Sequence, residues 1–303
     1  MARPASLGLA IGLSLLALLL FDAMGLIIKM LSPRYGAAEL SAWRNVFGLI
    51  PSLIVLWSSA EWRAKGRVIR IRQWPLACFR GIAVTFAQLM FYLSLGRIDF
   101  ATATTISYAM ALFTPALSVL LLHERVGAVR WASVVIGFAG VMMVVGLGRD
   151  TFSLDALLPL GAAFLYALTG VTVRMVDGEV PSALLNLYSS AFAVIGSVAV
   201  ALFAGGFTPI ASGTDFLWIV AMGGFGGSAV LFLVISYRMT EPSNLAPFNY
   251  FGIPMAFVLG WMFFGEQPFD DLFPGVILIV AGGLMIVWRE RQLHNRRKAV
   301  AGK

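Results

Sequence analysis

Ten apolar runs of 17 or more residues follow one another along this 303-residue chain, and no other feature narrows the fold as far. Each run is long enough to cross a hydrocarbon core about 30 Å thick. They span residues 7–30, 37–57, 74–95, 100–122, 128–147, 154–174, 181–204, 215–237, 245–264 and 272–288. In lipid each backbone N–H and C=O must be bonded within the protein, so runs of this length are read as helices. A membrane barrel would show alternating segments of about ten residues instead, and the sequence has none. The expected fold class is therefore an all-α integral membrane protein with ten transmembrane helices. Charged residues make up only 12% of the chain, where a soluble domain carries about a quarter. The first run follows Arg3, but its length and Asp22 argue against a cleaved secretory signal.

Charge placement gives the orientation. With the N-terminus in the cytoplasm, the inner side holds Arg3, Arg63, Lys65, Arg67, Arg70, Arg72, Arg125, Arg130, Arg174, Arg238 and six basic residues from Arg289 onward. The outer side holds Lys29, Arg34, Arg97 and Arg149. Sixteen against four places both termini in the cytoplasm, in the cytoplasmic (inner) membrane. The net charge of +7 is thus accounted for by topology and by contact with anionic membrane lipids, not by nucleic acid. The lone cysteine, Cys78, forms no intramolecular disulfide.

The chain also repeats itself. An offset of 142 aligns 108–145 with 250–287, pairing Tyr108 with Tyr250, Glu124 with Glu266 and Gly140 with Gly282. An offset of 145 pairs Phe21, Gly25, Lys29 and Met30 with Tyr166, Gly170, Arg174 and Met175. Residues 7–147 and 154–288 are therefore expected to be two five-helix repeats, followed by a basic cytoplasmic tail over 289–303. Five is odd, so the second copy enters the membrane from the opposite face. Such inverted repeats suit alternating access around a site near the midplane.

Ionisable groups inside a membrane helix cost several kcal/mol unless paired or wet, so each marks a site by default. Asp22 and Arg44 lie at similar depths in the first two segments and are able to meet across the hairpin. Two readings stay open: they bind substrate charge, with Asp22 also available for proton coupling, or they form a structural ion pair. The position matching Asp22 in the second half is Ala167, which favours function. Gln88 and Tyr92 share one helix face. Ser107 with Tyr108, and Asn249 with Tyr250, occupy repeat-equivalent places and supply hydroxyl, amide and ring groups for an amphipathic solute. Arg80 is expected to snorkel to the headgroups from the inner end of the third helix. Lys29 and Glu39 are expected to pair at the outer boundary. Glu124 and Glu266 are read as structural caps. Pro115 and Pro254 are expected to kink the fourth and ninth helices and to serve as gating or structural elements. The GxxxG spacings at Gly8 with Gly12 and at Gly223 with Gly227 allow close helix contact, including in a homodimer.

The first-helix ending FDAMGLIIK, WRN around Arg44, CFRG around Arg80, LLLHE ending at Glu124 and NLAPFNYFGIPMAFVLGWMFFGE ending at Glu266 resemble the drug/metabolite transporter superfamily, specifically its two-domain EamA-type members. The resemblance implies a ten-helix secondary transporter for a small metabolite such as an amino acid, a vitamin or an S-adenosylmethionine-like solute. A passive channel, a membrane scaffold and an intramembrane enzyme are the competing functions. Against an enzyme, the chain has two histidines and no HExxH, GxSxG or paired-cysteine pattern. No P-loop, cofactor motif or metal-ligand cluster is present in the sequence, so any driving force comes from a solute gradient or from protons.

Overall fold

The computed structural model describes residues 7–58, 60–64, 66, 72–123, 127–145, 153–172, 175, 182–239, 245, 248 and 250–301. Among the described residues the regular structure is helical: α1 (Leu7–Leu31), α2 (Ala37–Ser58), α3 (Ala60–Ala64), α4 (Trp74–Leu95), α5 (Phe100–Ser107), α6 (Met110–Leu122), α7 (Ala128–Val145), α8 (Leu157–Thr172), α9 (Ser182–Phe203), α10 (Gly213–Met239), α11 (Gly252–Phe264), α12 (Phe269–Leu272) and α13 (Gly275–Ala301). Six stretches are long and apolar enough to cross a membrane: Gly8–Leu31, Ala37–Ser58, Trp74–Leu95, Phe100–Leu122, Leu154–Thr172 and Gly213–Leu233. Four shorter apolar helices, Trp131–Val145, Leu187–Phe203, Gly252–Phe264 and Gly275–Ile286, fall in the remaining four runs. Exposed tryptophans mark the two ends: Trp57, Trp74, Trp131 and Trp288 at one, Trp218 and Trp261 at the other. Their amphipathic rings suit the headgroup level, so the chain is a multi-pass membrane protein.

Helix packing obeys an exchange of the two halves. α1 lies along α10 as α8 lies along α4, α2 crosses α10 as α9 crosses α4, and α7 pairs with α13. The relation holds residue by residue. A Cβ on Gly223 would overlap Phe47 and touch Gly48, and a Cβ on Gly81 would overlap Phe192 and touch Ala193. Offsets of 142 for glycine and 145 for its neighbours carry one contact onto the other. Likewise Gly140 packs on the backbone of Gly275 and Ile279, while Gly282 packs on Ser133 and Gly137. Glycine lets these backbones touch, which is how helices associate when lipid competes for every apolar side chain. Gly223 and Gly227 therefore serve an internal α2–α10 contact and not a dimer, whereas Gly8 and Gly12 have nothing packed on them.

Several segment ends differ from the sequence-based expectation. The fourth run breaks between α5 and α6 at Tyr108 and Ala109, six residues before the first proline. Here the helix tightens into i to i+3 bonds, Ala109 N–H to Ile106 C=O at 3.0 Å and Ala111 N–H to Tyr108 C=O at 3.0 Å. The equivalent turn recurs in the second half, with Phe251 bonded to Phe248 at 3.0 Å and Ile253 to Tyr250 at 3.2 Å. Pro115 lies inside α6, which continues past it to Leu122. Pro254 is the third residue of α11, where a missing N–H has no intrahelical partner to lose. The breaks of the fourth and ninth segments thus lie at paired turns around Tyr108 and Tyr250, ahead of both prolines. The short α12 precedes the tenth segment, and α13 continues from it through the basic stretch to Ala301.

The α6 and α11 ends match as well. His123 (φ 53°) and Gly265 (φ 68°), equivalent at the 142 offset, both adopt the left-handed cap conformation. Gly265 donates to Trp261 C=O at 3.0 Å and Glu266 N–H to Gly260 C=O at 3.3 Å, which turns the chain sharply and aims Glu266 back at the bundle. Gly265→Ala is expected to cost about 1 kcal/mol, the strain of a Cβ at this φ. Thermal unfolding in detergent reads it, and an unchanged midpoint would mean that the cap contributes nothing.

Candidate functional site

At 1.5 Å rise per residue, Asp22 on α1, Arg44 on α2, Gln88 on α4, Tyr108 at the α5–α6 break and Tyr166 on α8 all lie roughly 10–14 Å from the same end of the bundle. That end carries the α1–α2, α4–α5 and α9–α10 connections. The layer has two parts. On one side Arg44 donates to Asn45 Oδ1 at 3.1 Å, and Asn45 Nδ2 donates to Gln88 Oε1 at 2.7 Å and to Ser197 Oγ at 3.2 Å. Ser41 adds a bond to Gln88 Oε1 at 3.1 Å. This network ties α2, α4 and α9 together and fixes the Arg44 head against Gly226 of α10. Arg44 also lies within electrostatic reach of Tyr92 and Tyr166.

On the other side Asp22 is buried and lies within electrostatic reach of Tyr108. Tyr108 and Tyr250 place their rings 5.9 Å apart, tilted by 34°. Repeat-equivalent residues that touch each other sit where an exchange axis would pass. The Tyr108 hydroxyl end packs on Gly252 and that of Tyr250 on Gly283.

Asp22 and Arg44 form no ion pair with each other, so of the two readings left open for them the structural ion pair is not made. Asp22 lies near Tyr108, and Arg44 bonds to Asn45. Both keep polar atoms without a partner among the described residues: Asp22 Oδ2 and Arg44 Nε. Tyr92 Oη and the hydroxyls of Thr102, Thr104 and Thr105 on α5 are buried and unpartnered too. Ser14 Oγ and Trp43 Nε1 are likewise without a partner among the described residues; buried polar groups in folded proteins are nearly always satisfied, and of these atoms Asp22 Oδ2, Arg44 Nε and Tyr92 Oη belong to the polar layer.

Other predicted residues fall elsewhere. Ser107 donates to Thr104 C=O of its own helix at 2.6 Å. Asn249 and Glu124 lie outside the described residues. Arg80 does not snorkel: it turns into the bundle and donates to Thr169 C=O, to Thr172 Oγ1 at 3.1 Å and to Ser189 Oγ at 3.3 Å, linking α4 to α8 and α9. Three protein acceptors outweigh a strained reach to water. Lys29 does not pair with Glu39. Lys29 contacts Glu266 at 2.5 Å, and Glu39 accepts from the Thr208 amide at 3.0 Å. Sequence reasoning missed Asn45, Ser41 and Ser197; an amide next to Arg44 in an apolar run was the available signal. Among the described residues no cluster of His, Cys, Asp and Glu has metal-binding geometry.

Comparison with known proteins agrees with this architecture. The EamA-like transporter family model matches residues 8–146 and again 154–288. A Rickettsia conorii protein named S-adenosylmethionine uptake transporter is 24% identical over 287 residues, 95% of each chain. A Rhizobium johnstonii protein named riboflavin transporter is 28% identical over 177 residues, 58% of each chain. The Pseudopaline exporter CntI of Pseudomonas aeruginosa is 24% identical over 276 residues, 91% of this chain and 92% of its own. One solved crystal structure superposes with a TM-score of 0.63 at 21% identity, covering 94% of this chain and 98% of its own, a likeness of fold. With both halves matched, a buried polar layer between them and transporters among its relatives, this chain belongs to the EamA-like transporter family of the drug/metabolite transporter superfamily.

Proposed function

We propose that the chain is a secondary transporter of the inner membrane, both termini cytoplasmic, whose two halves are inverted five-helix repeats that expose the Asp22–Arg44 layer to one face at a time. The equivalent contacts made by Gly81 on Phe192 and Gly223 on Phe47, and by Gly140 on Gly275 and Gly282 on Ser133, support the inverted pairing. The single observation that carries the function is Asp22, a buried carboxyl group inside a membrane helix with no partner cation among the described residues. Such a group costs several kcal/mol, which a bound solute offsets.

The layer suits a small dipolar molecule. Asp22 takes a positive group, Arg44 with its unused Nε takes a negative one, and Tyr92, Tyr108, Tyr166 and Tyr250 supply ring faces and hydroxyls. Relatives named for S-adenosylmethionine, riboflavin and pseudopaline are compatible with solutes of that kind. Gln88 acts through Asn45 as a positioning residue. Asp22 also offers a titratable group for proton coupling.

Purified protein screened by thermal shift against amino acids, nucleosides, riboflavin and S-adenosylmethionine is expected to be stabilised by a subset of them. Flux of a hit into proteoliposomes is expected to saturate and to accelerate when the same solute is loaded on the far side. Flux linear in concentration and without counterflow would establish a channel and overturn the reading.

A further inference from the structure

Lys29 and Glu266 come from different halves and meet at the end of the bundle nearest the site, at 2.5 Å, with side chains only 15% and 11% exposed. Every polar atom there is used. Lys29 also donates to Ile98 C=O at 2.7 Å and lies 5.3 Å from the Phe264 ring centre. The second Glu266 oxygen accepts the Phe100 amide at 2.7 Å, so a carboxylate from one half caps the first turn of α5 in the other, where a negative charge is favoured. The ammonium ends α1, where a positive charge is favoured. Two further ion pairs join the halves at this end, Arg34 to Asp215 at 3.0 Å and Arg97 to Asp155 at 2.7 Å, but their arginines are 51% and 53% exposed. Asp215 is itself 3% exposed and keeps the Tyr35 hydroxyl at 2.8 Å; of the three pairs, Lys29–Glu266 is the one in which both charges are sequestered, where parting costs most.

Its position is also specific. Lys29 is seven residues, two turns, beyond Asp22 on α1, on the same face and about 10 Å nearer the end. Below Phe100, Ala103 packs into the same core as Ile28, Leu31 and Tyr92. The pair therefore roofs the Asp22 side of the polar layer. The sequence adds an independent sign. At the repeat offsets, the counterparts of Lys29 and Glu266 are Arg174 and Glu124, outside the described residues, and both keep their charge. Asp22 and Arg44 have counterparts Ala167 and Ser189 and do not.

We infer that Lys29–Glu266, braced by Ile98 and Phe100, is the latch that closes this end of the transport path and must part for a solute to pass. The inference rests on the alternating-access reading above. Accessibility of a buried thiol tests it on the full chain in proteoliposomes. In a Cys78→Ser background, Ala103→Cys places one thiol beneath the latch, and a membrane-impermeant cationic thiosulfonate is applied to either face. With the latch intact, labelling from the latch face is expected to be slow. Glu266→Gln and Lys29→Gln are each expected to accelerate it about ten-fold, equivalent to about 1.4 kcal/mol, and Lys29→Arg is expected to keep it slow. Equal rates with Lys29→Gln and Lys29→Arg, or no acceleration in either glutamine variant while the protein stays monodisperse, would overturn the latch. Should the parent thiol react equally fast from both faces, the alternating-access reading itself falls, whatever the latch variants do.

Discussion

Replacing Asp22 by asparagine is expected to stop transport while making the protein more stable. The two effects have one cause. The carboxyl group is 6% exposed and its Oδ2 has no partner among the described residues, so the folded protein bears its desolvation without a compensating ion pair. Asparagine has the same shape and no charge. Relief of an uncompensated buried charge is expected to contribute about 1–3 kcal/mol, toward the range seen when buried ionic groups are replaced by neutral ones. The solute loses its charge partner in the same step, and removing one member of a buried charge pair costs about 2–5 kcal/mol, or about thirty-fold or more in affinity. The thermal midpoint should therefore rise as uptake into proteoliposomes disappears. A midpoint that falls would mean that Asp22 has a structural partner; uptake that persists would remove it from the site. Asn45→Leu gives the contrast. Asn45 makes three side-chain hydrogen bonds, and each interhelical bond in a membrane is worth about 0.6–1.7 kcal/mol, so that variant is expected to lose both stability and transport.

The second large effect is steric and is expected to appear twice. Gly140→Val and Gly282→Val each place a branched side chain where α7 and α13 touch through backbone atoms, Gly275 and Ile279 in one case and Ser133 and Gly137 in the other. Overpacking costs about 1–3 kcal/mol where side chains can move aside. Here backbone is in the way, so about 3 kcal/mol or more is expected from each. The sharper content is that the two costs should agree, since exchange of halves maps one contact onto the other. Chemical denaturation in mixed micelles measures both; one neutral and one severe variant would break the exchange relation.

The positions and number of the membrane runs were legible because hydrophobic length is set by lipid thickness, a constraint independent of tertiary detail. The repeat was legible at Tyr108 and Tyr250 because polar identities rarely recur by chance in apolar sequence. The Tyr108 break was not. The stretch ATATTISYAMALF has no glycine or proline at the break, and the tightening there reflects packing around a helix whose residues Phe100 to Ile106 are all buried. Depth along a helix follows from counting residues, which puts Asp22 and Arg44 in one layer. Rotation about the helix axis depends on neighbours distant in sequence, so their supposed contact did not follow. Lys29 found Glu266 across 237 positions, a partner only the charge-preserving repeat could have indicated.

The polar layer does not share the symmetry of the scaffold around it. At the repeat offsets Asp22, Arg44, Gln88 and Tyr92 answer to Ala167, Ser189, Val230 and Val234. A twofold frame thus carries a single charged cradle, held by one half alone. On the alternating-access reading proposed above, the half that holds Asp22 and Arg44 would set the orientation of the cargo, and the other half would face it with the uncharged Tyr166 and Tyr250.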